Sequence, residues 1–153
     1  MTPAARYNEA HRLWFMQQYP QTFKDGHYCP PKMPNVTKSN GLTTFIINYI
    51  TWIGCRATRI NTMGRLIETP VRQASGISLM TKKYMKSSTR KGSADISSTI
   101  RGRSVMFEIK TGKDRPSEYQ LAEQARERRA GGVYEFIRTP EDFFMIIDSL
   151  MYG

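Results

Sequence analysis

Asp95, Glu108 and Lys110 are the residues of this chain whose types and spacing suit chemistry. They lie in KGSADISSTIRGRSVMFEIKTGKDRPSEYQ, residues 91–120. Two runs there, 94–100 and 103–110, are rich in Ile, Val, Phe and Thr and flank Arg101-Gly102, which is the pattern of a β-hairpin. With that pair as the turn, Ile100 faces Arg103 and, counting outward, Asp95 faces Glu108. Direct cross-strand partners hold their Cβ atoms about 4.5–5.5 Å apart. The two-residue alternation of a strand puts Lys110 on the same face. Ile96, Ile100, Val105, Phe107 and Ile109 take the other face, which reads as core. Arginine is a poor residue for a two-residue turn that needs positive φ. A four-residue loop centred on the same point gives the same pairing.

Opposed carboxylates repel unless a cation lies between them. Mg²⁺ is usually held by one or two carboxylates, with water and substrate phosphate completing its shell. A lysine two residues beyond one ligand reaches the same centre. Metal and lysine together suit attack of water on a phosphodiester, the metal polarising the phosphoryl oxygen and the lysine steadying the developing charge. In an isolated hairpin the same trio reads as a cap residue and the polar edge of a strand. The opposition of the two acids and the basic segment that precedes them favour the metal site.

The ordered set Gly-Ser-Ala-Asp-Ile at 92–96, Phe-Glu-Ile-Lys at 107–110, Asp-Arg-Pro-Ser-Glu-Tyr-Gln at 114–120 and Gly131-Gly132 resembles the PD-(D/E)XK nuclease superfamily. It is most similar to the virus-type replication-repair nuclease (VRR-NUC) branch, found in phages and bacteria. The resemblance spans about 40–150. It implies that Asp95 and Glu108 bind Mg²⁺ or Mn²⁺, with the Ile109 carbonyl as a third ligand. It implies that Lys110 positions or activates the water and that Gln120 reaches back to the site from a helix. The implied activity is an endonuclease for DNA, branched or otherwise structured, with a non-catalytic DNA-binding module and an RNA-directed nuclease as alternatives. Related nucleases often carry a Glu near the start of their first core helix. Here no acid occurs in 37–54, and Ser39 or Asn40 stands in that place.

Several elements must position such a site. Leu42, Phe45, Ile46, Tyr49, Ile50 and Ile53 predict a helix over 40–53, ended by Gly54. Residues 55–61 predict a short strand carrying Arg56 and Arg59. After the hairpin, Pro116 suits the first turn of a helix that runs to about Ala130, with Ser117, Gln120 and Gln124 on one stripe. Residues 133–137 predict a further strand. Thr139-Pro140 starts a last helix whose Phe143, Phe144, Ile147 and Leu150 seal the core. The order α-β-β-β-α-β-α implies one α/β domain with a small mixed sheet flanked by helices. It resembles a restriction-endonuclease-like core.

That domain is expected to occupy 38–153, with 1–37 forming an N-terminal helix over 3–19 and a proline-rich tether. The helix is expected to dock on the core or to pair with a second copy as a homodimer. Segment 63–92 reads as a long loop rich in Gly, Ser and Thr, and loops of this length are usually functional or disordered. Arg65, Lys82, Lys83, Lys86, Arg90 and Lys91 make it a candidate phosphate-gripping flap, and Tyr84 a candidate base stacker. Ser117, Arg56 and Arg59 join them as candidate nucleic-acid contacts. Charge supports the same partner. Residues 1–90 carry 13 Lys or Arg against 3 Asp or Glu, whereas 91–153 carry 10 of each, so the net +10 lies entirely ahead of the carboxylates. Such asymmetry suits a polyanion such as DNA. No apolar run approaches the ~18 residues of a membrane span. Cys29 and Cys55 match no disulfide scaffold or metal spacing, and a reduced, cytoplasmic protein is expected.

Overall fold

The longest apolar stripe of the chain sets one layer. Helix α3, Ser39–Trp52, buries Leu42, Phe45, Ile46, Tyr49 and Ile50 at helical spacing. Gly54 follows its C-cap at φ +81, a left-handed conformation that glycine adopts without strain. The computed structural model describes residues 1–60, 65–72, 76, 78–85 and 90–153. Along them run α1 (Pro3–Gln18), α2 (Pro20–Lys24), α3, β1 (Arg56–Arg59), β2 (Arg65–Arg72) and β3 (Ser78–Met85). Then come β4 (Ile96–Ile100), β5 (Arg103–Ile109), α4 (Glu118–Arg129), β6 (Val133–Ile137) and α5 (Pro140–Tyr152). These described elements form a single α/β fold with a mixed four-stranded sheet, ordered β1-β4-β5-β6, and a separate two-stranded sheet, β2-β3.

β1, β4 and β5 pair antiparallel, and β6 joins β5 in parallel after the α4 crossover. β5 is therefore an inner strand, and its Val105, Phe107 and Ile109 meet α3 and α5 across one face of the sheet. Ile96, Ile100 and Ile137 extend that face, and Phe143, Phe144 and Ile147 of α5 close it. Thr139 caps α5 in a reciprocal box with Asp142, with Pro140 in the first turn, as its sequence predicts.

The β4–β5 register is the one the turn implies, with Ile100 opposite Arg103 and Ile96 opposite Phe107. The turn is the tight form, with Arg101 at φ +49 and Gly102 at φ +79. Arg101 compensates for this unfavourable conformation by donating from Nη1 to the Met151 carbonyl near the end of α5. That carbonyl is one of those a helix C-terminus leaves without an intrahelical donor.

Three expectations differ from the structure. The tether contains a short helix, α2, begun by Pro20. α4 starts at Glu118 with Ser117 as its N-cap, so Pro116 lies before the helix and not in its first turn. Segment 63–92 is not a loop throughout, because β2 and β3 pair over eight residues each, from Arg65–Met85 to Arg72–Ser78. Ile67, Thr69 and Val71 on one strand, with Thr81 and Tyr84 on the other, supply the β-favouring residues. Of the two roles expected for the first helix, docking on the core describes α1. Tyr7 is fully buried, stacks on Phe45 at 4.5 Å and accepts a hydrogen bond from Asn48. Arg6 pairs with Asp148 and lies over the Phe144 ring. No helix among the described residues is long and apolar enough to cross a membrane.

Candidate active site

Glu108 is placed by β5. Its neighbours Phe107 and Ile109 point into the core, so alternation turns Glu108 to the opposite face of the sheet. Because β5 lies between β4 and β6 and α4 crosses over that face, the side chain is buried, at 6 % exposure. Asp95 immediately precedes β4, one residue beyond the Ile96–Phe107 pair at which the paired register ends. Its Oδ2 accepts from the Ile109 amide at 3.0 Å, and its carbonyl accepts from the Ile60 amide at 2.8 Å. Lys110 is 5 % exposed, and its Nζ stands 3.3 Å from both Glu108 Oε1 and Asp114 Oδ2.

Gln120 joins these residues from the first turn of α4. Its amide donates to Ser117 Oγ, and its Oε1 accepts from the Ser117 amide, completing a capping box. Its Nε2 donates to Glu108 Oε1 at 2.5 Å. One side chain therefore both starts the helix and fixes the Glu108 carboxylate. Glu108 Oε2 is buried with no hydrogen-bond partner among the described residues. Burial, and then the negative charge of Asp95, push the Glu108 carboxyl up to about 7, against the pull of Lys110.

Tyr134 lies beneath this group and is fully buried on β6, opposite Met106. Its hydroxyl donates to the Gly92 carbonyl at 3.0 Å, which ties down the segment leading into Asp95. Burial, followed by the charges of Glu108 and Asp95, holds its phenol above the usual range. Gly92 sits at φ +85, and a Cβ there would stand 2.4 Å from the Tyr119 carbonyl oxygen, so glycine alone permits this approach to α4. Arg138 holds the other flank by donating to the carbonyls of Gly112 and Asp114.

Asp95, Glu108, Lys110 and Gln120 thus come together as the sequence predicts. The Ile109 carbonyl fits the same centre. The Lys110 amide of that trans peptide donates to the Ile137 carbonyl on β6, so the Ile109 carbonyl is directed away from β6, toward the β4 side where Asp95 lies. Among the described residues no three His, Cys, Asp or Glu side chains gather as a metal cluster. The oxygens gathered here belong to two carboxylates and a backbone carbonyl, all hard, and one carboxylate oxygen has no hydrogen-bond partner among the described residues. That composition suits Mg²⁺ or Mn²⁺.

The basic residues are dispersed. Arg56 and Arg59 are exposed on β1, and Arg59 donates to Asn40 on α3. Arg56 and Thr58 continue the carboxylate face of the sheet and line, with Ser97 and Thr99, a cavity of ≈ 280 Å³. Lys91 lies over the Tyr119 ring at 5.2 Å, beside Gln120, and Arg90 is exposed. Arg65, Lys82 and Lys83 belong to the β2–β3 ribbon, and Lys86 lies outside the described residues. The Ser117 hydroxyl is engaged in the cap of α4.

Sequence reasoning assigned no role of their own to Asp114, Tyr134, Gly92 or Arg138. The Ser117-x-x-Gln120 capping box was an available signal that α4 starts at Glu118 and not at Pro116. No family model and no curated protein matches the chain.

Proposed function

We propose that this chain is a metal-dependent endonuclease with a restriction-endonuclease-like core, similar to the VRR-NUC branch of the PD-(D/E)XK superfamily, and that it hydrolyses phosphodiester bonds in DNA. The observation that carries this reading is the gathering of Asp95 and Glu108 at one end of β5, with a buried Glu108 oxygen that has no hydrogen-bond partner among the described residues and the Lys110 ammonium in the same pocket. A buried carboxylate oxygen without a donor is costly unless something else satisfies it.

Asp95, Glu108 and the Ile109 carbonyl are the groups to hold Mg²⁺ or Mn²⁺, which when bound supplies Lewis acidity toward a phosphoryl oxygen and acidifies water. Gln120 keeps Glu108 in one orientation. Lys110 places a positive charge where negative charge grows on the phosphate as water adds and the P–O bond breaks. Asp114 competes for the same ammonium, so substrate phosphate takes the place of Asp114 when Lys110 turns to it. A second reading, a DNA-binding module that no longer cuts, draws on the absence of any acid in the first turn of α3.

The test is cleavage of labelled linear, flapped, splayed-arm and four-way DNA, with RNA alongside, in Mg²⁺, Mn²⁺ or EDTA. Cleavage that needs metal and falls at least about 100-fold in Asp95→Ala and Lys110→Met bears out the reading. Binding without cleavage under every condition favours the binding module. Cleavage of RNA alone would transfer the activity to a different substrate.

A further inference from the structure

We propose that the β2–β3 ribbon is an arm that binds duplex DNA by lying in the major groove beside the Asp95–Glu108 site. Its location next to the cut rests on the nuclease reading; its binding of duplex does not.

β1 and β4 are antiparallel partners, with Arg59 opposite Ile96. The ribbon lies in the chain between the end of β1 and the start of β4, and those two strand ends are neighbours at one end of the sheet. Asp95 stands at that end, its carbonyl held by the Ile60 amide. An arm rooted there and bound to DNA brings the flanking duplex to the carboxylates.

Its dimensions fit. Eight residues pair on each strand. At about 3.3–3.4 Å per residue the ribbon is roughly 27 Å long. That is about three-quarters of a B-DNA turn, and the major groove admits a two-stranded ribbon.

Its chemistry fits as well. The two strands carry Arg65, Arg72, Lys82 and Lys83 against the single acid Glu68. The pleat sets Lys82 and Tyr84 on one face and Lys83 on the other, so cations serve both sides. Glu68 neutralises Lys82 only in part, through an exposed contact of 3.3 Å. Farther along, Val71 faces Leu79, and these side chains are 48 % and 49 % exposed. Apolar groups at the far end of a cationic ribbon suit the thymine methyls of the groove floor. A lone two-stranded hairpin is marginal in water, which is a reason for this one to have a partner. A-form RNA offers no such groove, because its major groove is deep and narrow.

The experiment uses the full chain in EDTA, so that cleavage plays no part. Anisotropy is read across salt for a labelled DNA duplex of about three helical turns, an RNA duplex and a single strand of the same sequence. Two double variants are compared with wild type, Lys82→Glu with Lys83→Glu and Val71→Ser with Leu79→Ser. The charge variant is expected to bind duplex DNA at least tenfold more weakly and to lower the slope of log affinity against log salt by about two, with the melting temperature of the protein unchanged. The apolar variant is expected to lose duplex affinity without change in slope. Unchanged duplex affinity in both variants, or equal losses on RNA duplex, overturns the arm. Gel filtration showing a wild-type dimer that Val71→Ser with Leu79→Ser converts to a monomer overturns it too, and assigns the ribbon to a second copy of the chain. Intact ribbon-dependent binding in a protein that never cleaves overturns the nuclease reading and leaves the arm standing.

Discussion

Two antiparallel hairpins of this molecule invite comparison. β4–β5 and β2–β3 are both regular, and both are rich in β-branched residues. β4–β5 is cemented into a four-stranded sheet, with one face under α3 and α5 and the other partly under α4. β2–β3 is a sheet of its own, and every described side chain from Glu68 to Tyr84 is exposed. Only the first can hold charged groups out of water. Glu108 and Lys110 are buried because neighbouring strands and a helix surround β5, and burial is what shifts Glu108. Lys82 and Glu68 also form an ion pair, but in solvent, where such pairs contribute little. Pairing alone does not make a site; burial of one face does.

Core truncation should separate the hairpins most sharply. Phe107→Ala, at a fully buried position edge-on to Phe143, should cost about 3–5 kcal/mol in urea unfolding. Val71→Ala on the ribbon should stay within about 0.5 kcal/mol. A ribbon substitution as costly as Phe107→Ala would break the comparison.

The next contrast is with pH. The Glu108 carboxyl is raised from 4.5 to about 7, so its protonated form is favoured by the fold. Stability from this group is therefore fully present below pH 4.5 and is lost as pH rises through about 7. Metal-free wild type should melt at a falling temperature across that window, and Glu108→Gln should remove this component of the fall. Adding Mg²⁺ at pH 8 should raise the wild-type melting temperature and not that of Glu108→Gln. Glu68→Gln on the ribbon should leave the profile unchanged.

Gly92→Ala should cost about 1–3 kcal/mol, since the residue adopts positive φ and would press a methyl onto α4. Gly76 shares the positive φ but has open space, so Gly76→Ala should cost less. Gln120→Ala removes half of the capping box and the bond to Glu108, for about 0.5–2 kcal/mol. Denaturant titration checks all three. Equal costs at Gly92 and Gly76 would show that backbone strain outweighs packing at both turns.

Much of this molecule was legible in advance. The β4–β5 register follows from strand alternation about Arg101-Gly102, which is local, and with it Glu108 turns to the face opposite the core. The α3 stripe and the Thr139-Pro140 start of α5 are equally local. The β2–β3 ribbon was not legible, since its strands bury no face and so show no contrast of apolar and polar positions. Arg101 in a tight turn looked unfavourable until its side chain met the Met151 carbonyl, fifty residues away.

What the amino-acid order determined by itself is therefore what depends on near neighbours: helix stripes, caps, and one hairpin that opposes two acids. The tertiary structure alone decided how deep those acids lie. The parallel addition of β6 makes β5 an inner strand and brings Tyr134, and α4 lays Gln120 on Glu108. Desolvation is a sum over everything that excludes water around a group, and those groups come from distant parts of the chain.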